Sequence, residues 1–201
     1  MSLQIKELMN SLEAYYPNAE KTEQIIIDYA LSSTGANVIG GILSSVAGGT
    51  PSLTIYIAIL ACLESVLTMY VKLCDVLEIS LSQNTLKLIA RAAVSKIAAN
   101  LSGAISALFI FPGAIPIVSI LGISCTPFVA VTVFFITVYL AGIIFLQLIL
   151  KLAAKSSDSH SFSDISVSDM ERETKNVTVT RDDMMKAIAA YNVNNRSRLR
   201  E

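Results

Sequence analysis

Hydrophobic and polar positions fall into long separate zones along this chain. No Asp, Glu, Lys, Arg or His occurs in residues 29–63, which is 35 residues, or in residues 97–150, which is 54 residues. A helix needs about 20 apolar residues to cross a bilayer. The second zone is therefore long enough for two crossing helices. The first zone is long enough for one crossing helix and half of another, and residues 65–71 supply the rest of that second helix.

The two zones differ in how readily their helices would enter a bilayer. Residues 127–150 contain sixteen Leu, Ile, Val or Phe, and a helix of that length would run about 36 Å. Residues 53–71 contain Glu64. If this carboxylate behaves like Asp, its cost of about 2.5–3.5 kcal/mol nearly cancels the gain from the apolar residues around it. This helix therefore inserts only if Glu64 is protonated, paired or turned towards neighbouring helices.

Glycine and proline mark uncharged turns at 48–51, 112–116 and 122–127. The other ends of the apolar zones carry basic residues, namely Lys21, Lys72, Lys87, Arg91, Lys96, Lys151 and Lys155. Basic flanks stay on the cytoplasmic side of a membrane. The pattern therefore predicts an all-α protein of the inner (cytoplasmic) membrane with both termini cytoplasmic. It has two long helical hairpins, at about 25–47 and 52–76 and at about 84–121 and 127–154, joined near 77–84.

Two polar regions flank this membrane domain. Apolar residues recur at helical spacing in residues 2–16, which predicts an amphipathic helix. This segment lacks the basic start and the cleavage site of a signal peptide. After Lys155 the chain becomes rich in Ser and Asp, which is typical of a flexible linker. Ser168 and Glu171 have the spacing of a capping box, which predicts a helix start at Ser168. Thr180 can cap a helix over 181–191. The predicted divisions are an N-terminal helix at 1–18, a membrane domain at 19–154, a linker at 155–167 and a short cytoplasmic tail with a small helix at 168–201.

Composition narrows the function classes. The 201 residues are 53% hydrophobic and only 15% charged, against about 25% charged in soluble domains. Fifteen Lys and Arg balance sixteen Asp and Glu, so the basic excess of a nucleic-acid binder is missing. One His and three scattered Cys are too few for a metal cage. Motifs for nucleotide binding or hydrolysis do not occur. We therefore expect neither catalysis nor a cofactor.

Four polar side chains share one depth in the hairpin arrangement. Counted from the outer turns, they lie about 16–18 Å from the outer surface at 1.5 Å per residue. They are Asn37, Glu64, Asn100 and Tyr139. Such a layer can satisfy its own hydrogen bonds, because a buried polar group without a partner is costly, or it can line a wet path.

Two further sets of residues have spacings that suggest contacts. Small residues recur every four positions on adjacent faces of the first arm, where they favour close helix packing, either within the hairpin or between copies of the chain. They are Gly40, Gly41, Ser44, Ser45, Gly48 and Gly49. Lys87, Arg91 and Lys96 lie on a basic amphipathic stretch. That stretch suits anionic lipid headgroups or is an ordinary cytoplasmic flank.

Residues 20–152 resemble a known family. The runs YALSSTGANVIGGILSS and MYVKLCDVLEISLSQNTLKLIARAAVSKIAANL are followed by the break FPGAIP and the final apolar run YLAGIIFLQLILK. Together they look like the YcjF-type domain of unknown function that accompanies Era-like GTPases. The resemblance implies a helical membrane module without known catalytic residues. This chain differs in lacking a fused GTPase domain, so any GTPase partner would be a separate protein.

The sequence thus favours a non-enzymatic integral membrane protein that anchors or scaffolds a cytoplasmic partner, a separate GTPase or another effector, and self-associates as a homo-oligomer. Two alternatives stay open. One is an oligomeric, membrane-permeabilising or channel-like protein that uses the polar layer around Glu64. The other is a soluble helical bundle that inserts into a bilayer conditionally. No nucleic-acid partner is expected.

Overall fold

The fold was obtained as a computed structural model of the chain. It describes residues 3–32, 59, 62–109, 126–156, 162, 165–177 and 179–198, with side chains in a large part of these. Seven α-helices make up the regular structure of the described residues, which confirms the predicted all-α class. They are α1 Leu3–Glu13, α2 Lys21–Ala30, α3 Leu63–Leu77, α4 Gln83–Phe109, α5 Thr126–Ala153, α6 Val167–Asn176 and α7 Arg181–Arg198.

Helix α5 is the centre of the molecule. It contacts all six of the other described helices. Its residues 133–146 are all buried, and Lys151 near its end is exposed. A helix that is apolar on every side must be covered on every side, by protein or by lipid. Here the other helices of the chain provide that cover.

Among the described residues, one helical stretch is long and apolar enough to cross a bilayer, the part of α5 from Val133 to Ala153. A buried core helix of a soluble protein has the same length and composition. The two membrane hairpins therefore stay a prediction. The described parts of the predicted first hairpin are helical at 25–30 and 63–76, and its outer turn lies outside the described residues.

Helix α3 packs against α5 through a buried tyrosine. Tyr70 is fully buried, its ring stacks on Phe145 with centroids 4.3 Å apart, and its hydroxyl donates a hydrogen bond of 2.9 Å to the carbonyl of Ala141. Eight residues earlier on each helix, the side chains of Cys62 and Thr137 are hydrogen-bonded. Moving eight residues along α3 therefore corresponds to moving eight residues forward along α5. The two helices run in the same direction.

Helix α2 crosses α5 at a glycine. A Cβ atom added at Gly142 would lie 2.7 Å from Cγ1 of Ile26, closer than side chains can approach. Ile26 is itself buried. The absence of a side chain at Gly142 is therefore what lets Ile26 pack on α5 at this distance.

The connection between α3 and α4 is short. Glu78 ends α3 in the left-handed conformation, with φ of 56°, and the amide of Ile79 bonds back to the carbonyl of Cys74. Ser82 then begins α4, because its hydroxyl accepts a hydrogen bond from the amide of Thr85. The turn occupies residues 78–82, within the connection predicted near 77–84.

Both ends of the chain pack on this core. The N-terminal amphipathic helix predicted over 2–16 is α1, and it contacts α5. At the other end, Tyr191 of α7 lies against Phe135 of α5 with ring centroids 5.2 Å apart. The predicted cytoplasmic tail is thus part of the same helical assembly as α5.

The tail helices begin at specific caps. Helix α6 starts after Ser166, whose hydroxyl accepts from the amide of Asp169, so the cap predicted at Ser168 lies two residues earlier. Helix α7 starts after Thr180 as predicted, with Thr180 and Asp183 exchanging hydrogen bonds of 2.7 and 3.2 Å. Within the predicted linker, Phe162 is buried, while residues 157–161 lie outside the described residues.

Candidate functional site: a basic groove between α4 and α6

The predicted polar layer is only partly within the described residues. Asn37 lies outside them. The side chain of Glu64 is exposed at the start of α3, and that of Asn100 is exposed on α4 and donates to the carbonyl of Lys96. Tyr139 is buried in α5 and stacks on Phe135. Among the hydrogen bonds between described side chains, none joins two members of this layer.

The small-residue faces also lie outside the described residues, since Gly40, Gly41, Ser44, Ser45, Gly48 and Gly49 all fall within 33–58. Their role in packing or self-association stays a prediction. In contrast, the predicted basic stretch is described in full. Lys87 and Arg91 are exposed on α4, and Lys96 is half-buried.

The basic stretch forms one wall of an open groove. Arg91, Ser95 and Lys96 of α4 face Glu171 and Lys175 of α6, and Leu88 and Ala92 complete the lining. The groove has a volume of about 480 Å³. This is within the range of about 300–1,000 Å³ of sites that bind small ligands. Sequence spacing identified Arg91 and Lys96 but missed the opposite wall.

The groove exists because α6 is held against α4 and the end of α5. Met170 and Thr174 of α6, and Val177 directly after it, are buried and recur at helical spacing. This periodicity is visible in the sequence and could have indicated that the tail docks on the rest of the protein.

Two polar contacts fasten α6 at its carboxyl-terminal half. The ammonium group of Lys96 donates a hydrogen bond to the carbonyl of Lys175, in the last turn of α6. Lys155, just beyond α5, forms an ion pair of 2.6 Å with Glu173. A cation at the carboxyl end of a helix also interacts favourably with the helix dipole.

The groove carries excess positive charge. Lys175 is paired with Glu171 at 2.6 Å. Arg91 and Lys96, however, form no ion pair with another described residue. Partial burial lowers the pKa of Lys96, and the nearby charge of Lys151 lowers it further. Lys96 and Lys151 thus place two positive charges near each other where α4 approaches the end of α5.

The pKa of Glu173 should depend on one partner. The hydrogen bond and charge of Lys155 hold the pKa of this carboxyl below its ordinary value. Lys155→Gln is therefore expected to raise the Glu173 pKa towards its ordinary value, as measured by carboxyl ¹³C chemical shifts during a pH titration. The control Lys175→Gln removes the partner of Glu171 instead and should leave Glu173 unchanged.

This pair also sets the sign of a pH effect. Because the pKa of Glu173 is lower in the folded protein than in the unfolded chain, its contribution to stability is complete above the unfolded value. That contribution is lost as the pH falls through the folded value. The protection factors of the α6 amides, which correct for the slower intrinsic exchange in acid, should fall over this interval, and equal protection in the wild type and Lys155→Gln would contradict the assignment.

Side chains suited to metal binding do not cluster in the part of the chain that the structure describes, where no group of three or more His, Cys, Asp and Glu could hold a metal ion. The groove itself offers guanidinium, ammonium, hydroxyl and apolar groups together with the Glu171 carboxylate, which Lys175 neutralises. This set of groups can bind an anionic, partly apolar partner.

No protein-family model, curated protein or solved structure matches this chain. The resemblance to the YcjF-type domain therefore stays a prediction from the sequence.

Proposed function

We propose that this protein is a non-enzymatic membrane anchor whose described helices form a water-facing bundle that scaffolds a cytoplasmic partner. One observation carries the proposal. The outer face of α3 carries exposed Glu64, Lys72 and Asp75, while its inner face packs on the middle of α5 through Tyr70. The charged stripe therefore lies at the same level as the most apolar helix.

This geometry argues against a bilayer around the bundle. A charged side chain in the centre of a membrane costs about 2.5–3.5 kcal/mol on the insertion scale, and the register of Tyr70 on Phe145 puts Glu64 and Lys72 level with the apolar part of α5. Facing water, the same residues cost nothing. The proposal accordingly assigns the described bundle to the cytoplasmic side, and both termini with it.

The membrane contact is assigned to the uncharged sequence outside the described bundle. Residues 33–58 number 26 and residues 110–125 number 16, and neither segment contains a charged side chain. The first has its predicted turn at 48–51 and joins two helices of the same bundle, so it would enter and leave the bilayer on the same side as a short hairpin. The second is extended by the uncharged ends of α4 and α5. Self-association through the small residues of the first segment, as a homo-oligomer, belongs to the same proposal.

Fractionation tests the anchor. Full-length protein expressed in cells is expected to pellet with membranes, to resist extraction by high salt and alkaline carbonate, and to be released by detergent. The reason is that segments without charged residues gain free energy in hydrocarbon that salt does not weaken. Recovery in the detergent-free supernatant after ultracentrifugation would overturn the proposal.

Labelling tests which part faces water. In a variant without native cysteines, Glu64→Cys and Lys72→Cys should react rapidly with a membrane-impermeant maleimide in inside-out vesicles. In sealed right-side-out vesicles they should be protected. Protection in both orientations would mean that α3 lies in the bilayer, as the hairpin pattern of the sequence predicts.

A second function is favoured by a different observation. The stretch of α5 from Val133 to Ala153 is apolar enough to span a bilayer, yet 89% of its most apolar window is buried inside the protein. A bundle of this kind can store an insertable helix in water and release it conditionally. This function predicts a soluble protein that binds vesicles only after a trigger, so the same fractionation distinguishes it from the anchor.

A further inference from the structure

The groove between α4 and α6 has the form of a helix-binding site. Leu88, Ala92 and Ser95 recur along α4 at helical spacing, and Ala92 and Ser95 are small. Small residues let a neighbouring backbone approach closely, and a groove between two helices can receive the apolar face of a third. The apolar face of a helix can therefore pack against this wall.

The charges on the rim indicate which helix fits. Arg91 and Lys96 add two positive charges without an ion-pair partner among the described residues, and the Glu171–Lys175 pair adds none. Lys87 continues the same exposed stripe one turn earlier on α4. A complementary partner would carry acidic side chains beside an apolar stripe.

The position of the groove favours a protein over a lipid. Lys96 lies near Lys151, at the carboxyl end of α5. The amino-terminal end of α5, at Thr126, adjoins the uncharged segment 110–125. The two ends are about 37 Å apart at 1.5 Å per residue. The groove is thus at the far end of α5 from segment 110–125, one of the two segments to which membrane contact is assigned.

We infer that this groove docks an acidic amphipathic helix of a partner protein, with Arg91 and Lys96 pairing its carboxylates. The inference rests on the proposed scaffolding function and names the surface that performs it. It also gives α6 a role: the helix supplies the second wall, and the contacts of Lys96 and Lys155 with α6 hold that wall in position.

A designed peptide provides the probe. A fluorescein-labelled, 18-residue helix would carry Leu at helical spacing with Glu on both sides of the Leu stripe, and a second peptide would carry Gln in place of Glu. Binding to the full-length protein in detergent micelles is measured by fluorescence anisotropy. The Glu peptide is expected to bind about tenfold more tightly than the Gln peptide.

Three variants separate the groove from general electrostatics. Arg91→Glu is expected to weaken binding of the Glu peptide about tenfold, whereas Lys21→Glu makes the same charge change on the exposed surface of α2 and should have an effect below about twofold. Ser95→Trp fills the groove without changing its charge and should also abolish binding. Far-UV circular dichroism establishes that each variant keeps its helical content.

Several results would overturn the inference. Equal binding of the two peptides, or equal effects of Arg91→Glu and Lys21→Glu, would show non-specific attraction. Binding to vesicles containing anionic lipid that depends on Arg91, with no peptide binding, would make the groove a lipid site. Fractionation of the wild type tests the membrane anchor independently. A soluble protein that still binds the peptide would refute the proposed anchoring function and support the docking groove.

Discussion

Replacing Tyr70 by alanine should destabilise the protein by about 3–5 kcal/mol, because removing a fully buried aromatic ring leaves a cavity in the core. The ring joins α3 to α5 through its stack on Phe145, and its hydroxyl donates a hydrogen bond to the carbonyl of Ala141. The measurement is the midpoint of denaturant unfolding of the detergent-solubilised protein, followed by far-UV circular dichroism.

Two variants serve as controls. Tyr15→Ala removes the same side chain at a position that is 37% exposed, and it should cost less than about 1 kcal/mol. Tyr70→Phe keeps the ring and loses only the hydrogen bond, at a cost of about 1 kcal/mol. If Tyr70→Ala and Tyr15→Ala had equal effects, α3 would not be packed on α5 as described.

The second large effect is expected where α2 meets α5. Ile26→Ala should cost about 2–5 kcal/mol, as is usual when a buried isoleucine is truncated. Gly142→Ala should also destabilise, because the new methyl group would overlap Ile26, although alanine's higher helix propensity offsets about 1 kcal/mol of that cost. Both changes are measured by the same unfolding experiment.

The double variant decides whether these residues touch. In Ile26→Ala/Gly142→Ala, the added methyl group occupies part of the space that the isoleucine leaves. The combined cost should therefore be smaller than the sum of the single costs by about 0.5–3 kcal/mol, the range seen for residues in contact. Additive costs would show that α2 and α5 do not meet at Gly142.

If the groove docks an acidic helix, partner binding and the part of the anchor at 110–125 occupy opposite ends of one long helix. The uncharged segment 110–125 leads into α5, and the basic groove lies beside its last turns at Lys151. Movement of α6 would then change the partner site without moving the membrane segments. The Lys155–Glu173 pair, which is partly exposed, is a weak fastening that acid or salt can loosen.

Much of the helical architecture could be predicted from the sequence. Local signals identified α1, the turn between α3 and α4 and the cap at Thr180, because apolar periodicity and capping side chains act over a few neighbouring residues. The same kind of signal shows that the middle of α5 must be removed from water, since residues 127–150 carry no charge.

What covers α5 was decided only by the tertiary structure. Composition cannot distinguish lipid from protein as the apolar surroundings of a helix, because both provide the same favourable transfer out of water. The described residues surround α5 with helices that turn Glu64 and Lys72 outward. Similarly, spacing along α4 identified Arg91 and Lys96, but the opposite wall at Glu171 and Lys175 comes from residues about 80 positions later. Local periodicity relates residues within one helix, and only packing brings two distant helices together to form a groove.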